Sequence, residues 1–373
     1  MSLMSDTTRS VDLMRGGAQR EILPLTGIRG VAALWVVALH LTGSLAAHKF
    51  VAIRPGIDAN LLRGGDLAVD VFFILSGFII TRTYRDRFDV KTYFVHRFGR
   101  IFPLNIVILA SMAIGVYIFD RIGFHFSGQD RTYFDFNALP YYFLLLYVWL
   151  GMPIAWNGPT WSLSAELFAY FLFPFGRALQ RYLKPNQAIS LACAVALIQA
   201  LFLSLVGFYV TGDFALARAV LGFSVGMVMS AAKSPIATAG RGADAAAILV
   251  IILIAVGALG AAVLPAACLI FFLAQPAAGL CHRLLATPLA VWLGRISYSI
   301  YLIHAPLLIM CLIGLKHFVI LQQPLGLITF SVAFVITLLA VSAASFKLIE
   351  NPSRYAIQGA WRRWTQDRLE MSS

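Results

Sequence analysis

Residues 245–281 read AAAILVIILIAVGALGAAVLPAACLIFFLAQPAAGLC, a stretch without a charged side chain. A helix needs about 20 apolar residues to cross the hydrocarbon core of a bilayer, so this stretch is long enough for two crossings that meet near Pro265. Uncharged stretches of the same kind occupy 188–210 and 323–346. Together these three regions predict an all-α polytopic membrane protein.

The composition excludes a soluble globular class. Of the 373 residues, 60% are hydrophobic and 12% are charged, and the mean hydropathy is +0.81, which lies outside the range of soluble domains. The formal net charge of +12 does not indicate nucleic-acid binding, because the basic residues cluster in alternate loops between apolar segments. The four cysteines lie in apolar segments without CxxC spacing, so we expect neither a disulfide framework nor a metal site.

We predict about ten transmembrane helices and one segment that folds back. The spans are placed at 28–47, 67–84, 97–119, 161–181, 188–210, 214–232, 243–263, 265–281, 291–314 and 323–348. The apolar run 138–150 is too short to cross comfortably, and two glycines and two prolines follow it between 151 and 159. We therefore interpret 138–160 as a re-entrant or interfacial hairpin.

The distribution of Lys and Arg sets the expected orientation. With ten crossings and a cytoplasmic N-terminus, 22 of the 29 Lys and Arg residues fall on the cytoplasmic side, whereas a full crossing by 138–150 leaves 12 there. Because basic residues collect on the cytoplasmic side, the ten-span arrangement is favoured. We expect a cytoplasmic tail at 1–24, a transmembrane domain at 25–350 and a second cytoplasmic tail at 351–373.

Two ionisable residues share one face of the first span. Arg29 and His40 are eleven residues apart, a spacing that returns to within about 20° of the same helix face and spans about 16 Å of the axis. Ionisable groups within a membrane are costly, so the aligned pair indicates a lined path in which a neutral His40 can act as a base. The alternative is that Arg29 only anchors the helix end and that His40 hydrogen-bonds to a neighbouring helix.

A pair of arginines stands at the expected inner end of the third span. Arg97 and Arg100 are i,i+3 neighbours just before Pro103, and Arg29 is expected to open onto the same surface. Guanidinium groups suit phosphate recognition. The alternative is that these residues only mark the cytoplasmic side, as basic residues do in any inner loop.

Two carboxylates fall near the outer ends of predicted spans. Asp70 is expected about one turn below the surface, where it either binds substrate or reaches water. Glu166 has an expected depth that overlaps that of His40, so it could orient the imidazole or stabilise its protonated form. Glu166 could equally bind the acceptor or pair with an arginine.

A polar stripe follows one face of the ninth span. Ser297, Tyr301 and His304 have i, i+4, i+7 spacing, which places them on the same side of a helix at mid-membrane depth. The stripe could line a substrate tunnel, and hydrogen bonding between helices explains it equally well.

Six motifs in register resemble the acyltransferase 3 family of bacterial integral-membrane acyltransferases. They are Leu25-Thr-Gly-Ile-Arg29-Gly with His40, Val69-Asp70-Val-Phe-Phe-Ile-Leu-Ser-Gly-Phe78, Arg97-Phe-Gly-Arg100-Ile-Phe-Pro103, Trp161-Ser-Leu-Ser-Ala-Glu166, Ser297-Tyr-Ser-Ile-Tyr-Leu-Ile-His304 and Glu350-Asn-Pro352. The resemblance extends from about residue 22 to residue 353, so the transmembrane domain at 25–350 is identified as the acyltransferase domain.

The resemblance implies an enzyme of the bacterial cytoplasmic (inner) membrane that moves an acyl group, usually acetyl, from cytoplasmic acyl-CoA to a hydroxyl of a surface or exported glycan. It ties the motif of Arg29 and His40 to activity, and the motif of Arg97 and Arg100 to the donor. We therefore expect the three arginines to hold the CoA phosphates and His40 to serve as general base or transient acyl carrier, assisted by Glu166.

The expected partners are the lipid bilayer and a glycan acceptor, without nucleic acid, and the oligomeric state is left open. A transporter or flippase of an anionic lipid-linked sugar remains the alternative, because the same topology and arginines suit it.

Overall fold

The computed structural model describes residues 21–123, 132–207, 214–232, 236–317 and 323–372. These residues form helices and connecting turns and contain no strand, which agrees with the all-α prediction. The tail predicted at 1–24 lies almost wholly outside the described residues.

The helices are numbered in chain order. They are α1 (Leu23–Ala47), α2 (Ile57–Thr83), α3 (Val90–Arg121), α4 (Leu139–Phe143), α5 (Trp161–Gln180), α6 (Pro185–Val206), α7 (Ala215–Met229), α8 (Ala239–Ala255), α9 (Val263–Leu273), α10 (Leu280–Leu285), α11 (Pro288–Arg295), α12 (Ser297–His317), α13 (Pro324–Ser345) and α14 (Asn351–Ser372). A 3₁₀ turn, Gly158–Thr160, precedes α5, and a π turn, Phe346–Glu350, joins α13 to α14.

Each of the ten predicted spans overlaps a helix, but 265–281 is helical mainly as far as Leu273, and 291–314 extends over both α11 and α12. Fewer of these helices are long and apolar enough to cross a bilayer alone. Five candidate spans meet that condition among the described residues: α1, α2, α3, α6 and the continuous helix Pro324–Arg368. Helices α11 and α12 make a sixth if they are counted as one span bent by 64°. The apolar helices α7 and α9 have 15 and 11 residues, so ten crossings remain a prediction.

The segment predicted to fold back contains no helix of spanning length. Between 138 and 160 the chain forms α4, a run of turns and the 3₁₀ turn. Leu145 and Trp156 adopt positive φ angles of 56° and 55°, and both side chains are fully buried. Tyr142 Oη donates a hydrogen bond to the Pro153 carbonyl at 2.6 Å, so the segment folds back on itself and packs into the protein.

Close helix contacts hold the elements that carry the site. A Cβ on Gly226 of α7 would overlap the carbonyl oxygen of Ile74 on α2, and a Cβ on Gly294 of α11 would overlap that of Thr26 on α1. Small residues of this kind allow helices in membranes to pack with their backbones nearly in contact. Close backbone contacts therefore hold α1 against α11 and α2 against α7.

The predicted C-terminal tail is helical. Helix α13 continues through the π turn into α14, where Trp361 and Trp364 stack with their ring centroids 4.7 Å apart. Trp361 Nε1 donates a hydrogen bond to Thr92 Oγ1 of α3 at 2.9 Å. Helix α14 is thus attached to α3, the helix that carries Arg97 and Arg100.

Candidate active site

A cavity of about 160 Å³ lies among α1, α2, α3, α5 and α12. Six of the nine site residues predicted from the sequence line it. They are Arg29, Arg97, Arg100, Glu166, Ser297 and Tyr301. Residues separated by up to 272 positions in sequence, from Arg29 to Tyr301, are therefore brought to one site.

The three arginines give this cavity a positive wall. The Arg97 guanidinium carbon lies 5.9 Å from the ring centroid of Tyr170 and 6.0 Å from that of Tyr84. Its Nε is buried and has no hydrogen-bond partner among the described residues. A buried donor of this kind costs free energy until an acceptor reaches it, so Arg97 is the arginine best placed to bind an anionic ligand.

Arg100 has a carboxylate partner inside the protein. Its guanidinium forms an ion pair with Glu350 and lies 4.6 Å from the ring centroid of Tyr298. Glu350 is buried and also accepts a hydrogen bond from Ser299 Oγ at 2.7 Å. Arg100 is therefore held in place, with part of its charge compensated.

Glu350 is a site residue that the prediction from sequence missed, because it stood out only as the first residue of the Glu350-Asn-Pro352 motif. The sequence does indicate it, because Glu350 is a single carboxylate at the end of an apolar span in a chain rich in arginine. Such a carboxylate needs a cationic partner when it is buried.

Glu166 belongs to the arginine cavity. Tyr170 Oη donates a hydrogen bond to Glu166 Oε1 at 2.8 Å and also lies 3.3 Å from Ser76 Oγ. Glu166 and Arg29 both line this cavity. Among the described residues the partners of His40 are Val36 and His304, so the contacts place Glu166 with the arginines.

His40 packs against a second histidine. Its Nδ1 lies 2.9 Å from the Val36 carbonyl oxygen. In the neutral ring this geometry puts the proton on Nδ1 and leaves a lone pair on Nε2. The ring centroid of His304 is 5.0 Å away, with the two planes tilted by 51°.

His304 links the histidine pair to the cavity. It is fully buried, and its Nε2 has no hydrogen-bond partner among the described residues. Its ring centroid lies 5.8 Å from that of Tyr301, which lines the cavity. His40 itself is not among the lining residues, and its ring contact with His304 is what connects it to Tyr301 in the cavity wall.

The polar stripe on α12 combines both roles expected from its spacing. Tyr301 Oη lies 2.6 Å from Ser162 Oγ and 2.8 Å from the Pro159 carbonyl oxygen, which fastens α12 to the start of α5. Ser297 Oγ donates to the Gly294 carbonyl at 2.8 Å. Both side chains also line the cavity, so hydrogen bonding between segments and a role in the cavity wall occur together.

Asp70 is not among the residues that line the cavity and forms a buried ion pair. Arg218 donates from Nε to Asp70 Oδ1 at 3.0 Å and from Nη2 to Oδ2 at 2.7 Å. Gln199 Nε2 adds a third hydrogen bond at 2.9 Å, and Asp70 is fully buried. Its oxygens are occupied by the protein, which gives it a structural role in joining α2, α6 and α7.

The prediction from sequence missed Arg218, which it treated only as one of the basic residues expected on the outer side of the membrane. The signal was present, because an acid and a base in two different apolar segments commonly pair within a membrane.

Among the described residues, no three side chains of His, Cys, Asp or Glu form a group that could hold a metal ion.

Comparisons with known proteins agree with the motifs. A family model described as an acyltransferase domain matches residues 23–346. The chain is 35% identical over 162 residues to the acyltransferase MdmB of Streptomyces mycarofaciens, which covers 42% of this chain and 39% of the relative. It is 26% identical over 194 residues to the putative peptidoglycan O-acetyltransferase YrhL of Bacillus subtilis, covering 48% of this chain and 27% of the relative.

A third relative is the peptidoglycan O-acetyltransferase OatA of Listeria monocytogenes, with 24% identity over 211 residues, or 52% of this chain and 30% of the relative. The chain thus matches less than half the length of each of these three proteins. No solved structure matches it. Since the family model spans most of the sequence, the chain belongs to the acyltransferase 3 family.

Proposed function

We propose that this membrane acyltransferase moves an acyl group, in the simplest case acetyl, from cytoplasmic acyl-CoA to a hydroxyl of a surface or exported glycan. Membership of the family supports acyl transfer. The names of two relatives as peptidoglycan O-acetyltransferases support a glycan hydroxyl as acceptor. The proposed setting is the cytoplasmic membrane of a bacterium, with both termini in the cytoplasm, as the Lys and Arg distribution favours.

One structural observation carries the proposal. The cavity lined by three arginines is bordered by Tyr301, and the ring of Tyr301 contacts the His304–His40 pair. The cavity that holds the arginines and the pair of histidines are therefore connected through Tyr301, which lines the cavity and contacts His304. An anionic thioester donor and a hydroxyl acceptor need this combination of groups.

At the donor end, Arg29, Arg97 and Arg100 bind the phosphates of CoA. Arg97 offers an unpartnered Nε, whereas Arg100 shares its charge with Glu350. Arg29 and His40 are separated by about 16 Å along α1, a distance that the long pantetheine arm of CoA can bridge. Glu166 acts from within this cavity, through Tyr170 and Arg29, and orients the bound donor or acceptor.

At the reacting end, His40 Nε2 takes the proton of the acceptor hydroxyl. The hydroxyl oxygen bonds to the acyl carbon, the carbon–sulfur bond breaks, and CoA leaves as the thiolate. In the alternative sequence of steps His40 first accepts the acyl group itself and then passes it to the hydroxyl. Both sequences require an unprotonated Nε2, which the hydrogen bond from Nδ1 to Val36 supports.

The test compares two histidines of the first helical segment in membranes supplied with acetyl-CoA and a glycan acceptor. His40→Ala should lower the rate of CoA release and glycan acetylation by about 10²- to 10⁴-fold, the usual contribution of a general base. His48→Ala is the matched control, because His48 Nδ1 also lies 2.8 Å from the carbonyl four residues earlier, but the side chain is exposed at the end of the helix. The control should keep wild-type rates.

Wild-type acetylation by His40→Ala would refute its role. The mass of the product decides between this proposal and a flippase, because a flippase moves its substrate without changing its mass. Mass spectrometry of the glycan, with and without the protein, should show the gain of one acyl group at a hydroxyl.

A further inference from the structure

A second cavity, of about 260 Å³, lies where α2, α5 and α7 end. Its lining residues include three arginines, Arg85, Arg177 and Arg181, together with Gln180 and Ser230, and none of its lining residues is acidic. The arginines come from the turn after α2 and from the end of α5. This cavity is distinct from the active-site cavity, with which it shares no lining residue.

Two of the arginines are positioned by carbonyl groups. Arg177 donates from Nε and Nη2 to the Tyr84 carbonyl, at 3.1 and 2.6 Å, and from Nη2 to the Arg85 carbonyl at 2.8 Å. Arg85 Nη2 donates to the Ser230 carbonyl at 2.6 Å. These contacts satisfy carbonyl groups at the C-terminal ends of α2 and α7. Because carbonyl groups are neutral, they do not compensate the positive charges of Arg85 and Arg177.

Arg181 has no such structural role. Its guanidinium has no hydrogen bond and no ion pair among the described residues, and the side chain is exposed. It lies one helical turn after Arg177, and the two charges repel each other. The general excess of basic residues on the cytoplasmic side explains their number, but it does not explain their convergence on one cavity.

We propose that Arg85, Arg177 and Arg181 form a second phosphate-binding site. A phosphate oxygen in this cavity accepts from guanidinium groups to which the described lining residues supply no counter-charge, and charge-assisted hydrogen bonds of this kind are the strong ones. The ligand is a phosphomonoester or phosphodiester. Its source is either the headgroup of an anionic phospholipid in the adjoining leaflet or, resting on the proposed function, the nucleotide end of CoA.

The second source is supported by Tyr84, which contacts an arginine of each cavity. Its carbonyl accepts from Arg177, and its ring centroid lies 6.0 Å from the guanidinium carbon of Arg97 in the active-site cavity. Along α2, Ile80 lines the first cavity and its neighbour Thr81 lines the second.

The experiment measures binding and not catalysis, so it is independent of acyl transfer. Purified protein is compared with its Arg181→Ala variant, which removes no hydrogen bond, and with Arg87→Ala, which removes the same charge from the turn between α2 and α3 without touching the cavity. The lipid arm uses native mass spectrometry after mixing with phosphatidylglycerol. The nucleotide arm uses titration calorimetry with CoA and with dephospho-CoA.

Arg181→Ala should weaken binding of one of these probes by roughly ten- to a hundredfold, as expected for a lost charge-assisted hydrogen bond, whereas Arg87→Ala should not. Loss confined to phosphatidylglycerol identifies a lipid site. Loss confined to CoA identifies a site for its nucleotide phosphates, and dephospho-CoA then tells whether the 3′-phosphate is the group bound. Equal binding of all probes by wild type and Arg181→Ala would overturn the proposal, whatever the catalytic activity of His40 proves to be.

Discussion

Breaking the Asp70–Arg218 ion pair should destabilise the fold far more than it affects ligand binding. Asp70 is fully buried and accepts three hydrogen bonds, two of them from Arg218. In Asp70→Asn the amide oxygen replaces Oδ1, but an NH₂ group then faces Arg218 Nη2, donor against donor. The variant therefore loses one charge-assisted hydrogen bond, worth about 1.5–3 kcal/mol, and also takes the Asp70 carboxylate away from the buried Arg218 guanidinium.

The total loss in the free energy of unfolding should be about 3–5 kcal/mol, the usual cost of removing one partner from a buried ion pair. Reversible unfolding in mixed detergent–SDS micelles measures this loss as a change in the free energy of unfolding. Asp58→Asn is the matched control, since Asp58 is an exposed acid of the same helix, and it should change stability by less than about 0.5 kcal/mol. Adding Arg218→Gln to Asp70→Asn removes the buried cation that has lost the Asp70 carboxylate and should restore part of the loss.

The competing expectation was that Asp70 binds substrate. In that case Asp70→Asn keeps the free energy of unfolding of the wild type and raises the KM for the acceptor. Unchanged stability in the single variant would refute a structural role for the Asp70–Arg218 pair.

Three further predictions concern the site and its supporting helices. His304→Phe keeps an aromatic ring beside His40 but removes the ring nitrogens. The acetylation rate should therefore fall roughly tenfold or more, with no change in the amount of folded protein. A wild-type rate would contradict a catalytic role for the pair of histidines. Glu350→Gln removes the counter-charge of Arg100, so CoA binding measured by calorimetry should become tighter. The same change should lower the free energy of unfolding by about 1–3 kcal/mol. Weaker CoA binding would contradict the placement of a phosphate beside Arg100. Asp89 caps α3 by accepting from the Thr92 amide at 2.7 Å, which holds the pKa of its carboxyl below the usual value. Asp89→Ala should therefore cost about 1 kcal/mol above pH ~4, and the difference should vanish as the pH falls through the lowered pKa and the cap is protonated; a pH-independent difference would contradict this.

The helices were predictable because apolar length and charge are properties of local sequence. All ten predicted spans overlap helices, and the segment 138–160 contains no spanning helix. Ser297, Tyr301 and His304 lie on one helix as their spacing predicts; two of them line the cavity and the third contacts Tyr301. A regular helix fixes the relative direction of its own side chains, so such inferences need no tertiary information.

The partners of these residues were not predictable in the same way. Asp70 with Arg218, Arg100 with Glu350, and His40 with His304 are pairs joined across 148, 250 and 264 positions. Periodicity within one helix does not encode which helix lies opposite. Glu166 shows this most clearly, since its expected depth overlaps that of His40 but it accepts its hydrogen bond from Tyr170 on its own helix.

The hydrogen bonds of Tyr301 have a consequence for the shape of the cavity wall. Two contacts, to Ser162 and to the Pro159 carbonyl, hold the phenol in the wall of the arginine cavity, where its ring lies against that of His304. Losing both costs about 1–3 kcal/mol, the net worth of two neutral hydrogen bonds. The orientation of this one side chain therefore depends on residues of the 3₁₀ turn and of α5, although the side chain itself belongs to α12.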